Sequence, residues 1–245
     1  DCQLLARVAL VNYDSSTGQF RCQQDAVHVF VYGGHVENNN VFMRLRKNNT
    51  NAYDGLKLYN GWPEGSDSGS SSIIRLLRCE DGDVITITSQ MSNGTFLGQF
   101  TFLSSFALLN EDLVAFSAQL SSDISLPGGI TIPFDVASIN EGDRFIPVHG
   151  VFGCLDDAYY VFTWSIATTN EDNQRPLSTR LMMGSEQVKA GPQTTKPYGT
   201  ETPTSASTQV VVQCQPATSV YLQAMVLSED IQTIRSRFSD FPGFR

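Results

Sequence analysis

Phe100 to Leu120 reads FTFLSSFALLNEDLVAFSAQL. Two apolar, β-prone runs flank a polar hinge at Asn110-Glu111-Asp112, and each run is the length of a strand rather than of a helix. One β-unit therefore ends at the hinge and another begins. The second enters with a full strand, Val114-Ala115-Phe116-Ser117-Ala118, whereas the first has little chain ahead of Leu4 in which to hold an equivalent. This asymmetry is the strongest functional clue in the sequence.

Working outward, the two sides of the hinge are copies. Gly18-Gln19-Phe20-Arg21-Cys22 recurs as Gly150-Val151-Phe152-Gly153-Cys154, and each is followed by an aromatic-rich strand, Val27 to Tyr32 and Tyr159 to Trp164. A Ser/Thr/Gly-rich loop (Gly65 to Ser72; Thr200 to Thr208) then precedes a strand ending in Cys, Ile73 to Cys79 and Val210 to Cys214. A further strand follows in each, Val84 to Thr88 and Val220 to Met225. A period of half the chain with matched loops and strands means two copies of one domain, expected at 1–110 and 111–245. Short strands punctuated by Asn, Gly, Asp and Pro predict an all-β sandwich in each copy, with little helix. Val27, Val29 and Val31 face one way and His28, Phe30 and Tyr32 the other, so this strand is expected to be central and to end at Gly33-Gly34.

With 41% apolar residues among 245, the chain has enough to build packed cores, and a charged fraction of only 17% suits a turn-rich β protein. A net charge of −9 opposes binding to nucleic acid or to an anionic membrane. No apolar run approaches the ~20 residues that span a bilayer, so the chain reads as soluble. Two glycosylation sequons, at Asn48 and Asn93, fit a secretory route.

The five cysteines lack the spacing of a metal site, and no metal is expected from them. Cys22 and Cys79 occupy the same repeat positions as Cys154 and Cys214. Of three pairings, repeat symmetry selects Cys22 with Cys79 and Cys154 with Cys214; the alternative is four buried free thiols. Cys2 is left over, which suggests a bond to another chain or a free reactive thiol.

These residues resemble a known family. Val114-Ala115-Phe116-Ser117-Ala118, Ile132-Pro133-Phe134-Asp135-Val136, Asn140-Glu141-Gly142 and Gly150-Val151-Phe152-Gly153-Cys154 resemble the opening of a complement C1q globular-head domain. Ala158 to Phe162 and Phe238 to Phe244 are similar to that family's central and last strands. The first half is similar from Val11 through Glu80-Asp81-Gly82-Asp83-Val84 to Phe106. The resemblance implies two tandem jelly rolls of the C1q and tumour-necrosis-factor type, secreted, non-enzymatic and usually trimeric, and looks most like the C1q-like proteins of molluscs and other invertebrates. The first copy departs by lacking the initial strand, and the Gly82-Asp83 turn reads as Thr218-Ser219 in the second copy.

For catalysis the sequence offers little. His28, His35 and His149 read as one core and two loop histidines, with no nucleophile elbow, phosphate loop or zinc-protease helix around them. Acidic pairs at Glu80 to Asp83, Asp156-Asp157, Glu171 to Asn173 and Glu229-Asp230 offer calcium a weak opportunity and otherwise read as solvated loop tips. Tyr53, Tyr59, Trp62 and Tyr198 could stack on sugars, but are read as packing under loops. Glu37 to Asn40 reads as an exposed turn.

Two functions follow. In the first, the protein is an extracellular structural polymer, such as a byssus-like fibre. An incomplete jelly roll recruits a strand from a second copy, either the N-terminal arm with Leu4, Leu5 and Val8 or the strand with Val114, Phe116 and Ala118, and Cys2 locks the copies together. In the second, it is a soluble lectin-like recognition protein with carbohydrate as partner. Cis repair is a further option, in which Val114 to Leu120 folds back on Phe100 to Leu109 as a hairpin.

Overall fold

Alternation in the central run of each half sets the architecture. Val27, His28, Val29, Phe30 and Tyr32 are all buried, so the strand that carries them has covered faces on both sides and lies inside a sheet. The structure, a computed structural model, describes residues 12–14, 16–37, 41–58, 68–91, 95–96, 102–109, 112–168, 177–193, 204–225, 232–236 and 239–245. These fall into two compact units, each an all-β sandwich of the jelly-roll kind. Among the described residues the only helical element longer than one residue is a 3-10 turn at Pro147–His149.

The first unit contains β1 (Tyr13–Asp14), β2 (Gln19–Arg21), β3 (Ala26–Glu37), β4 (Val41–Lys47), β5 (Thr50–Leu58), β6 (Ser68–Cys79), β7 (Val84–Met91), β8 (Thr95–Phe96) and β9 (Phe102–Leu108). One sheet has the order β1-β2-β7-β4-β5. The other is β6-β3-β8, with β9 also on β3. Phe20, Phe30, Tyr32, Leu45, Ile73 and Ile85 fill the space between them.

The second unit contains β10 (Ala115–Gln119), β11 (Ile124–Leu126), β12 (Val136–Glu141), β13 (Phe145–Ile146), β14 (Val151–Gly153), β15 (Ala158–Thr168), β16 (Ser178–Met183), β17 (Glu186–Gln193), β18 (Thr204–Cys214), β19 (Ser219–Met225), β20 (Gln232–Ile234) and β21 (Asp240–Phe244). The sheet β13-β14-β19-β16-β17 repeats the first sheet of the first unit. The facing sheet places β18 on one side of β15, as β6 lies on β3, and β21 on the other, as β9 lies on β3. It then continues outward through β10 to β12. Among the described residues the first unit has no counterpart of β10 or β12.

Ladder bonding overrides composition at several places. β3 does not stop at Gly33-Gly34: Gly33 pairs with Ser72 on one side and Phe102 on the other, which holds the backbone extended through His35 to Glu37. Ser68 to Ser72 and Thr204 to Thr208, expected as loop, are strand, because each pairs rung by rung with the far end of a central strand. Register also corrects the turn alignment. The Gly82 N–H donates to the Cys22 carbonyl and the Ala217 N–H to that of Cys154, so Ala217, not Thr218, stands where the first unit has Gly82.

That position is left-handed in both units, with φ of 87° at Gly82 and 64° at Ala217. A side chain there costs about 1–2 kcal/mol, which glycine avoids. Ala217→Gly should raise the stability of the second unit by about 1 kcal/mol, after allowing for glycine's greater freedom when unfolded, and a denaturant melt of the full chain should show it.

Candidate functional site: the β9 edge and the cysteine positions

β21 and β9 are matched closing strands with different surroundings. All five residues of β21 are buried, because β15 pairs with one edge and β10 with the other. For β9 one ladder is described, with β3. Leu103, Ser105, Phe106, Ala107 and Leu108 are half-buried, Ser104 is exposed, and Leu109 just beyond is 62% exposed.

The interior shows the same difference. Phe116 of β10 stacks on Phe145 at 4.6 Å and Phe152 at 5.0 Å, and meets Phe241 edge-on at 5.0 Å. Phe145 pairs with Phe152 as Tyr13 pairs with Phe20. With Phe116 over it Phe145 is 2% exposed, whereas Tyr13 is 44% exposed. Gly243, opposite Phe162, makes room for Phe116: a Cβ there would lie 2.5 Å from the Phe116 ring and 2.7 Å from that of Phe162. The register equivalent in the first unit, opposite Phe30, is Ser105. A strand laid against β9 as β10 lies on β21 therefore cannot carry a phenylalanine at the Phe116 position without displacing Ser105.

Val114, Phe116 and Ala118 are buried in the core of their own unit. This corrects one expectation and weighs against another. β10 pairs with β12 and β21, so the cis hairpin onto Phe100 to Leu109 is not realised, and withdrawing this strand to serve a neighbour would expose the core it now fills. Cys2, Leu4, Leu5, Val8 and Asn93 lie outside the described residues, as do Tyr59, Trp62, Tyr198 and the acidic pairs at 171–173 and 229–230.

Cys154 and Cys214 are disulfide-bonded, with Cα atoms 6.1 Å apart. Cys22 and Cys79 hold the matching positions, each fully buried, but the expected bond between them is absent and both are thiols. Backbone geometry does not separate the pairs, since the same clasp holds both: Cys22 N–H to Asp83 O and Cys154 N–H to Thr218 O, each at 2.9 Å. The difference lies in what stands beside them. His28 is buried next to the open pair. Tyr160 has its register beside the closed one, and its hydroxyl donates to Asp156.

Of the carboxylates considered for calcium, Asp83, Asp156 and Asp157 hold partners within their own units. Asp156 also pairs with Arg245, and Asp157 accepts from Gln213. Asp83 pairs with Lys47 at 2.6 Å and accepts from the Glu80 N–H and the Asn48 amide. Sequence reasoning missed this knot. Its one signal is Asn48-Asn49 between two strands, both in left-handed backbone. The Asn48 side chain is its brace: its oxygen accepts from the Val84 N–H and its amide nitrogen, the atom a glycan would use, donates to Asp83. His149 sits in the 3-10 turn and is exposed, and His35 is in β3.

Two comparisons place this geometry. A family model described as the C1q domain matches residues 10–107 and, separately, 115–244. The chain belongs to the C1q domain family. Among solved structures, the globular domain of the zebrafish complement 1qA protein is similar at 16% identity over 54% of this chain and 95% of that one, with a TM-score of 0.42. The Eiger TNF of S. frugiperda is similar at 10% identity over 55% of this chain and 93% of that one, with a TM-score of 0.43. C1q domains are in general non-enzymatic extracellular modules that associate into oligomers. No helix among the described residues is long and apolar enough to cross a membrane.

The Asp83 knot sets an acid limit on the first unit. Burial pushes the Asp83 carboxyl up, but Lys47, the Glu80 N–H and Asn48 outweigh it and hold the carboxyl below its ordinary value. A group whose pKa is depressed on folding stabilises above its unfolded value of about 3.9 and ceases to do so as pH falls through the folded value. Wild type should therefore lose more stability than Asp83→Asn between about pH 5 and pH 2, and the two should converge at the acid end. Denaturant melts across that range would measure the difference.

Proposed function

We propose that the protein is a self-assembling extracellular structural protein, of fibre or matrix type, whose copies join by strand complementation at β9, with Cys2 adding a covalent link. The observation that carries this reading is the contrast between β21, buried under β10, and β9, with one described ladder and half-buried apolar side chains along its length. A sheet edge of this kind is a template for another strand. When the donor comes from a second copy and the geometry does not close a ring, repetition builds a filament.

Ser105 bears on the choice of donor. Val114 to Leu120 would bring a phenylalanine against it and would uncover its own core. The arm from Gln3 to Leu10 offers alternating Leu, Ala and Val, with alanines at Ala6 and Ala9 small enough for that place. At ~25 cal/mol per Å2 of apolar area, a strand-sized insertion contributes on the order of 10 kcal/mol before ordering costs, so such association is slow to reverse.

Full-length protein viewed by electron microscopy should form filaments. Cys2→Ser should remove covalent oligomers from a non-reducing gel while filaments persist, and deletion of Asp1 to Leu10 should abolish filaments. Full-length protein that stays monomeric or a closed trimer at high concentration, with Cys2 unpaired, would overturn the proposal in favour of a discrete recognition protein.

A further inference from the structure

The two cysteine positions differ in more than bonding. In the second unit the sulfurs are joined, and Tyr160 on β15 has its hydroxyl occupied, donating to Asp156 Oδ1 at 2.8 Å and accepting from the Leu155 N–H at 3.2 Å. In the first unit the residue in that register is His28. It is 4% exposed, yet neither ring nitrogen has a hydrogen-bond partner. Polar atoms are rarely buried in this way, and each case needs an explanation. The explanation on hand is the neighbouring dithiol: one ring nitrogen of His28 and the Sγ atoms of Cys22 and Cys79 all lie within 4.8 Å of one another. Two thiols and an imidazole meeting in an apolar wall form a donor set for a soft cation, and we infer that the first unit binds one thiophilic d10 ion, Cu(I) or Zn(II), between Cys22, His28 and Cys79.

The geometry fits with little movement. Metal–sulfur and metal–nitrogen bonds of about 2.3 and 2.0 Å around one ion set the donors about 4 Å apart, so they need to draw in by less than about 1 Å. The imidazole is held in place for this, with Phe20 edge-on to it at 5.8 Å and Phe30 stacked on it at 5.9 Å. Burial lowers the pKa of His28, which leaves the ring neutral with a lone pair to give. The adjacent Cys22 thiol and burial raise the pKa of Cys79, so that group stays a thiol without a cation beside it, and thiolate ligation of an ion releases protons. With two thiolates and a neutral imidazole, Zn(II) leaves the site neutral. Cu(I) leaves one negative charge, which the Lys47 ammonium, close enough to favour the Cys79 thiolate, partly offsets. No fourth His, Cys, Asp or Glu joins the cluster among the described residues, an arrangement that three-coordinate Cu(I) accepts and that Zn(II) would complete with water.

The inference stands apart from the assembly proposal and is tested on the Cys2→Ser chain, which lacks the odd thiol. The protein is reduced under anaerobic conditions and freed of reductant, then titrated with Zn(II) alone and, separately, with Cu(I) alone. One equivalent should bind, and X-ray absorption on the loaded protein should return two sulfur donors and one nitrogen. An added oxygen at the metal identifies the zinc form, and its absence the copper form. His28→Gln and Cys22→Ser should each weaken binding at least tenfold, and any metal still held by Cys22→Ser should show one sulfur donor in place of two, while Cys154→Ser should change neither. X-ray absorption on the unsubstituted site decides the matter even if a core variant fails to fold. Sulfur-only ligation, oxygen and nitrogen ligation without sulfur, or binding unaffected by His28→Gln would overturn the inference. So would peptide mapping of protein isolated without reductant that finds Cys22 joined to Cys79 and no metal.

Discussion

A sheet strand needs partners on both edges or a reason to do without one, and in this protein Phe116 shows what the second partner does. Its ring joins those of Phe145, Phe152 and Phe241 into one cluster, and it reaches that place because position 243 has no side chain. β10 therefore closes the ladder of β21 and also seals the aromatic layer beneath it. Where no such strand is described, in the first unit, the matching closing strand is half-exposed and Tyr13 faces solvent in the place where its counterpart Phe145 is buried. The two units share topology and register through β1–β3 and β13–β15, and among the described residues they differ at this edge.

Much of this was legible in the sequence. The repeat of Gly-x-Phe-x-Cys followed by an aromatic run gave the duplication, and strict alternation in Val27 to Tyr32 gave a central strand buried on both faces. The hinge at Asn110 to Asp112 marked the change of unit because charged and amide side chains interrupt two apolar runs there. What misled was local composition. Glycine and serine at Gly33-Gly34 and Ser68 to Ser72 read as stop and loop, but two strands supplied with partners on the sheet stay extended whatever their side chains prefer.

The finer chemistry depended on contacts that spacing does not reveal. His28 is six residues from Cys22 and far along the chain from Cys79, so no metal-site spacing announces the cluster; it arises because Ala26 pairs with Cys79 and the pleat turns His28 inward with Phe30 and Tyr32. The brace of Asp83 by Asn48 and Lys47 likewise joins two turns distant in sequence. The repeat correctly put the four cysteines at matched positions. It was silent on the side chain beside each pair, which is where the two copies part.

The disulfide in one unit and the open thiols in the other also give the chain an uneven response to tension. Cys154 and Cys214 are 60 residues apart in sequence, and their bond holds the segment between them out of any pull applied at the ends. At about 3.3–3.6 Å per extended residue, that withholds about 200 Å of length from the second unit. The first unit, whose matching cysteines are not joined, has no such stop and can pay out its full contour. In a load-bearing strand of many copies, the first units would act as extensible elements in series with stiffer second ones, and a metal ion bridging Cys22 and Cys79 would serve as a breakable, reformable stop between the two limits.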